Sequence, residues 1–408
     1  MNRKTAVIAA LAAVMVAGCA SSTHSTAAHD ASGSAASPTS TSTEAAPAAH
    51  GVEAAIGAVP WPQVGPGWLL ATWSPVSGGS PAQPPVPGEP SPGTATTTLY
   101  LVDPAGGRYA ITTFPPPGDM AGPQLVDWSG DGSQALFYAE YAKPPAAILV
   151  DLHTGAQTPF PVNGSPRFTR PDGKALLVAT RGYTSHPGSL TSVDLAGNPQ
   201  LNYPVGSDFG GGYLSTPDGT RLVLGTPSGL ALMGNDGTGG NVLPMQGQTD
   251  CSPLRWWDGN RSTTVLARCE GSDGSGTRLW LVPTSGATPT ALTAPNNGQK
   301  GPDLGDADAW QLRAGTFVQA LGACGVVYLA KLNADGTTAP VSVPDVQSDS
   351  VVVVGVHGND LHLQAKAGCG SGQALLSYDT TAAKSTVLLG PPINGGGVID
   401  AVAYPGQE

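Results

Sequence analysis

Seven residues carry most of the chemistry this chain could direct at a ligand: Asp127, Trp128, Arg167, Arg255, Trp256, Trp310 and Asp400. All lie on short segments predicted to be strands, several of them a few positions ahead of an Asp-Gly turn. Aromatic faces and charged groups of this kind can grip a sugar or a peptide. Strand alternation sends about half of them into the protein instead, and a one-residue slip exchanges the two sets. Covalent chemistry has no recognisable motif. The sequence holds no Gly-x-Ser-x-Gly elbow for a serine nucleophile and no His-Glu-x-x-His. His153, His186, His357 and His362 fall in different loops or strands. His357 and His362 flank a turn at Gly358-Asn-Asp360 and could meet across a hairpin, but two imidazoles without a third ligand make a poor metal site. The turn aspartates offer one carboxylate each, whereas calcium takes six or more oxygens, so they are assigned to turns. Gly210-Gly-Gly212 and Gly395-Gly-Gly397 precede strands, with no helix to receive a phosphate. No catalytic residue, metal or cofactor is assigned.

The elements that must position these residues repeat. Trp128-Ser-Gly-Asp131-Gly-Ser, Thr169-Arg-Pro-Asp172-Gly-Lys, Ser215-Thr-Pro-Asp218-Gly-Thr and Trp256-Trp-Asp258-Gly-Asn recur at intervals of about 40–45 residues, the spacing of a β-propeller blade. A short apolar run follows each, as in Ala135-Leu-Phe-Tyr138. Asp-Gly suits the turn between innermost and second strands, because Gly accepts positive φ and Asp binds local backbone. A second marker, such as Leu99-Tyr-Leu-Val-Asp103 or Ile148-Leu-Val-Asp151, closes each third strand. Together they predict an all-β propeller with blades at 122–162, 164–205, 208–247, 251–293, 303–343 and 349–389. Near-continuous runs such as Val351-Val-Val-Val354 fit strands buried on both faces. Residues 68–73, 98–102 and 109–113 read as second, third and fourth strands without a first, and 398–404 as a first without followers. Joined, they make a seventh blade that ties the termini and removes sheet edges. Six or eight blades are the alternatives, since 303–343 and 349–389 lack a clean Pro-Asp-Gly turn.

These turns and the Leu-Tyr-Leu-Val-Asp strands resemble the repeats of TolB-like propellers, the WD40-like Pro-Asp repeat. The matches at Asp131-Gly132, Pro171-Asp-Gly173, Pro217-Asp-Gly219 and, more weakly, Asp258-Gly259 span about a third of the chain. The resemblance implies fold. TolB carries an α/β domain ahead of its propeller where this chain has a low-complexity stretch, so its partners are not implied.

Met1-Asn-Arg3-Lys4, an apolar run to Ala17 and Val16-Ala17-Gly18-Cys19 resemble a bacterial lipoprotein signal, with Cys19 the lipidated residue. The apolar run is shorter than the ~20 residues of a membrane span. The organisation expected is a signal peptide at 1–18, lipidated Cys19 and a disordered Ser/Thr/Ala/Pro-rich tether at 19–60, and a propeller at 61–408. His24, His29 and His50 are read as solvated tether residues. Gly 56 and Pro 39 favour turns over long helices. The net charge of −11, about −13 once Arg3 and Lys4 are removed, argues against nucleic acid. Without Cys19 the cysteines number four, and the blade register pairs Cys251 with Cys269 and Cys324 with Cys369. The loop at 75–93 joins a second strand to a third. These features predict a monomeric, extracytoplasmic lipoprotein of the bacterial cell envelope. It would be held to the membrane by its lipid and bind an envelope protein or glycan without catalysis. The alternative is a propeller enzyme, a lyase or glycan-acting hydrolase working at the central channel.

Overall fold

The computed structural model describes residues 46–406 apart from 78–86, 119–120, 183–185, 296–304, 347–349 and 368–370. Cys19 and Cys369 lie outside these residues, as does most of the tether and the middle of the 75–93 loop. Seven four-stranded antiparallel blades form a closed ring. Blades 1–6 occupy 124–161, 165–202, 213–244, 248–291, 308–340 and 351–389. A composite blade takes its innermost strand, Gly397–Ala403, from the C-terminal end and its other three, Leu69–Ser74, Thr97–Val102 and Arg108–Phe114, from the N-terminal end. Leu69 pairs with Ala403 and Thr72 with Asp400 across the join.

Successive strand residues feed opposite blade interfaces, which is why the strands are apolar on both faces. Leu136 packs toward blade 2 while Phe137 packs toward the composite blade; Leu176 and Leu177 divide likewise between blades 1 and 3. Among the described residues seven buried apolar clusters result, each shared by two adjacent blades. The cluster of Leu69, Ala71, Leu375, Leu389 and Val398 joins blade 6 to the composite blade and so completes the ring.

The Asp-Gly turns work through their carboxylates. Asp131 Oδ1 accepts from Ser129 Oγ at 2.6 Å and from Ser133 N at 3.0 Å, and Asp218 repeats this with Thr216 and Thr220. Those hydrogen bonds hold the Asp218 carboxyl down to about 2. Adjacent turns also nest on each other. A Cβ on Gly130 would lie 1.5 Å from Pro171 O, and one on Gly219, at φ +70°, 1.9 Å from Arg170 O. Glycine at both positions lets neighbouring blades close up around the channel.

The folded domain starts earlier than residue 61. Glu53–Ala55 adds a fifth strand, parallel to Arg108–Phe114, on the outer edge of the composite blade. Glu53 accepts from Tyr100 Oη at 2.9 Å and pairs with Arg108 at 3.3 Å. Ile56, Trp61 and Val64 pack against the composite blade's core. His50, assigned to the tether, is hydrogen-bonded through Nε2 to Val387 O at 2.8 Å. The propeller edge is thus covered by a segment whose Ala- and Pro-rich composition merges with that of the tether before it.

Cys251 and Cys269 are disulfide-bonded between the first two strands of blade 4, with Cα atoms 4.1 Å apart. For a sequence separation of 18, the chain-entropy relation gives such a bridge about 3 kcal/mol. Cys324 sits in the 3-10 turn Ala323–Gly325 after the second strand of blade 5, and its pairing with Cys369 falls outside the described residues. Among the described residues no helix is long and apolar enough to cross a membrane.

Candidate functional site

The innermost strands expose one unpaired backbone edge to the central channel, and an unpaired edge attracts further strands unless it is blocked. Here side chains from neighbouring blades block it. Asp400 Oδ2 accepts from Leu125 N at 3.3 Å, and Asp127 Oδ2 from Phe168 N at 2.8 Å. Arg167 Nη1 donates to Val126 O, and Trp256 Nε1 to Ser215 O at 2.8 Å. Gln319 spans Val351 O and Val353 N, while Gln364 donates to Val398 O and Ile399 O. Arg255 clasps Asp308 of blade 5 through Nε, at 2.8 Å, and Nη2. Tyr213 Oη donates to Leu177 O at 3.2 Å. Every blade boundary carries at least one polar clasp, although Tyr213 reaches a second-strand carbonyl and Arg255 a carboxylate in place of an inner-strand edge.

Five of the seven predicted channel residues, Asp127, Arg167, Arg255, Trp256 and Asp400, therefore have a structural task. Asp127 is 4% exposed and takes donors from Phe168, Trp128 and Arg170, the last at 3.1 Å. It still forms part of the wall of a channel cavity of about 780 Å³, together with Arg167, Arg255 and Trp256. Trp310 lines an adjoining cavity of about 280 Å³ that shares Arg255, Trp256, Gly259 and Gly406 with the first. Trp128 points the other way. It is 1% exposed in the core between blade 1 and the composite blade, where its Nε1 donates to Gly132 O. Asp400 lines neither cavity.

The sequence reading missed Arg170, Phe168, Tyr213 and Asp308. Arg170 was visible inside the Thr169-Arg-Pro-Asp172 repeat, and Asp308 stands two residues before Trp310. Neither revealed its partner, because Arg170–Asp127 and Arg255–Asp308 pair across blades, 43 and 53 positions apart.

The cavity has a definite electrical character. Arg167, Arg170 and Arg255 stand on its wall against Asp127, with Asp308 behind Arg255. Three cations against two carboxylates leave one positive charge, inside a chain of net charge −11. Among the described residues no histidine lines either cavity. His357 and His362 lie on the first hairpin of blade 6. There burial, with His357 nearby, holds buried His362 down to about 4. Among the described residues no three His, Cys, Asp or Glu side chains gather as metal ligands would.

Asp400 allows a direct test of the clasps. Burial pushes its carboxyl up to about 6, against the Leu125 N–H and Lys366, which favour the anion. The folded value exceeds the unfolded one, so ionised Asp400 destabilises the fold. That penalty is absent below about pH 4, grows through pH 4–6 and is complete above pH 6. Asp400→Asn keeps an acceptor for Leu125 and removes the charge. Denaturant melts should show it about 2 kcal/mol more stable at pH 7.5, with the gain gone by pH 4. His362 works in the opposite sense, since its folded value lies below the unfolded one. The variant should therefore lose stability more steeply than the parent as pH falls from 6.5 toward 4. A gain of equal size at both ends of the range would mean that charge burial at Asp400 is not the cause.

No family model and no curated protein matches the chain. Solved structures with similarity include TolB from Acinetobacter baumannii, at 16% identity and TM-score 0.41, covering 82% of this chain and 66% of that one. The β-propeller domain of the Trilobed protease from Pyrococcus furiosus aligns at 10% identity and TM-score 0.47, over 78% and 94% of the two chains. Oligogalacturonate lyase from Vibrio parahaemolyticus aligns at 14% and 0.45, over 79% and 85%. At these identities no ligand or chemistry passes from them to this chain.

Proposed function

We propose that this protein is a lipid-anchored, non-catalytic binding protein of the bacterial cell envelope, whose ligand or partner enters the central channel of the propeller. The state of Asp127 carries this reading. Among the described residues it is the one carboxylate on the wall of the larger cavity, and three donors already occupy it. Glycoside hydrolysis by a carboxylate pair needs a second carboxylate within reach, and among the described lining residues there is none. A concave site with half-buried Trp256 and arginines suits recognition. The Val16-Ala17-Gly18-Cys19 run supports the anchor, and the 19–45 stretch would hold the head clear of lipid.

The test combines fractionation with site-directed photo-crosslinking in intact cells. A crosslinker at Gly406, on the cavity wall, should yield a discrete adduct; one at Val242, 59% exposed on the outer strand of blade 3, should not. Cys19→Ser should move the protein to the soluble fraction and weaken the Gly406 adduct. Unchanged membrane retention would refute the anchor, and equal adducts from both positions would refute the channel.

A further inference from the structure

We propose that the channel wall where blades 4 and 5 meet captures the carboxylate of a small monoanionic ligand. Arg255 Nη1 and Trp310 Nε1 donate to its oxygens, and Arg167 supplies the uncompensated charge. The proposal rests on the binding-protein reading above and gives that site its ligand chemistry.

Two buried donors point to it. Arg255 Nη1 and Trp310 Nε1 are buried with no acceptor among the described residues. They lie together, the guanidinium carbon 4.4 Å from the centre of the Trp310 ring, and both residues line the 280 Å³ cavity. An indole N–H and a guanidinium can only donate, so what suits them is an acceptor. Leaving such N–H groups unmade is unfavourable, and a carboxylate offers two oxygens to two donors. Asp308 holds the other side of the Arg255 fork, which fixes the direction in which Nη1 points.

Charge selects among acceptors. The two adjoining cavities together hold one positive charge in excess, which a monoanion cancels and a dianion overshoots. Arg167 carries that excess, because its partner, Val126 O, is a neutral carbonyl. The capped inner edges argue against an added peptide strand, since Val126 O, Phe168 N and Ser215 O are already engaged. A ligand held by side chains fits better. The wider cavity beside Trp256 has room for its ring or short chain.

Full-length protein labelled with ¹⁵N at the tryptophan indoles tests this. Benzoate, glucuronate and N-acetylalanine are titrated against benzamide, glucose and N-acetylalaninamide, with phthalate as the dianion. The Trp310 indole signal, assigned by its loss in Trp310→Phe, should move with at least one carboxylate. The matching neutral compound should bind at least tenfold more weakly, and phthalate no more tightly than benzoate. The best of the three acids identifies an aromatic, sugar or peptide-end source. Arg167→Gln and Arg255→Lys should each weaken binding about tenfold; Arg167 is exposed, so its variant serves if Arg255→Lys folds poorly. Equal binding of acid and amide, or shifts that spare Trp310, would overturn the carboxylate assignment. So would silence from all three acids. A persisting Gly406 adduct in any of those cases would leave the binding-protein reading standing, and its absence would remove both.

Discussion

A chain shortened to end at Gly396 is expected to show no cooperative melt, although it keeps six complete blades and loses only twelve of its 408 residues. The missing Gly397–Ala403 strand is the innermost of the composite blade, and three neighbours depend on it. Leu69–Ser74 loses its whole inner ladder. Gln364 of blade 6 loses the Val398 and Ile399 carbonyls, and Leu125 of blade 1 loses the Asp400 carboxylate. Trp128 loses Tyr404, which packs edge-on with ring centres 5.2 Å apart. An opened ring exposes two apolar blade faces together, and this separates it from trimming an ordinary terminus. A synthetic peptide covering 395–406 should restore a sigmoidal transition when added to the shortened chain. Point variants grade the effect. Val398 is fully buried and Ile399 is 44% exposed on the same strand. Val398→Ala should lose about 2 kcal/mol, while Ile399→Ser should stay within about 0.5 kcal/mol, since the Ile399 carbonyl that Gln364 uses is backbone. Circular dichroism melts check both, and a shortened chain melting like the parent would show that the ring does not need closure.

How far the molecule could be read from its residues depended on the element in question. Second and third strands were legible because their apolar runs are bounded by Asp-Gly and Gly turns, as in Ala135–Tyr138 and Ile148–Asp151. The Cys251–Cys269 geometry followed from that register. Innermost strands were harder, for a physical reason the ladders make plain. Four of them skip a residue against their partners: Leu125 and Asp127 face Phe137 and Leu136, omitting Val126, and Leu254, Val354 and Ile399 are omitted likewise. Such a bulge shifts which side chains face the channel, so strict alternation cannot place Asp127 or Trp128. The bulged residues also present carbonyls that neighbours cap, Val126 for Arg167 and Ile399 for Gln364. Glu53–Ala55 escaped notice differently: its partner lies 55 positions away in a parallel pairing, and three residues in Ala-rich surroundings carry no period.

Asp127 is the position at which stability and binding should separate. Asp127→Ala deprives buried Phe168 N–H of its acceptor and Arg170 of its 3.1 Å carboxylate partner, in a pair whose side chains are 5% and 17% exposed. Breaking a buried pair from one side is expected to cost about 3–5 kcal/mol, because the remaining cation stays where it is. Asp127→Asn retains one acceptor and should lose about half as much. A ligand-contact role alone would leave urea midpoints near the parent value. The same substitutions raise the excess positive charge of the cavity from one to two. Carboxylate affinity should therefore rise in the Asn variant while its midpoint falls, most visibly at low salt. Opposite movement of the two readouts is the signature of a residue that seals the propeller and also limits the charge of its channel. Parallel loss of stability and affinity would instead make Asp127 a direct contact of the bound molecule, and the clasp would no longer explain why an aspartate stands there.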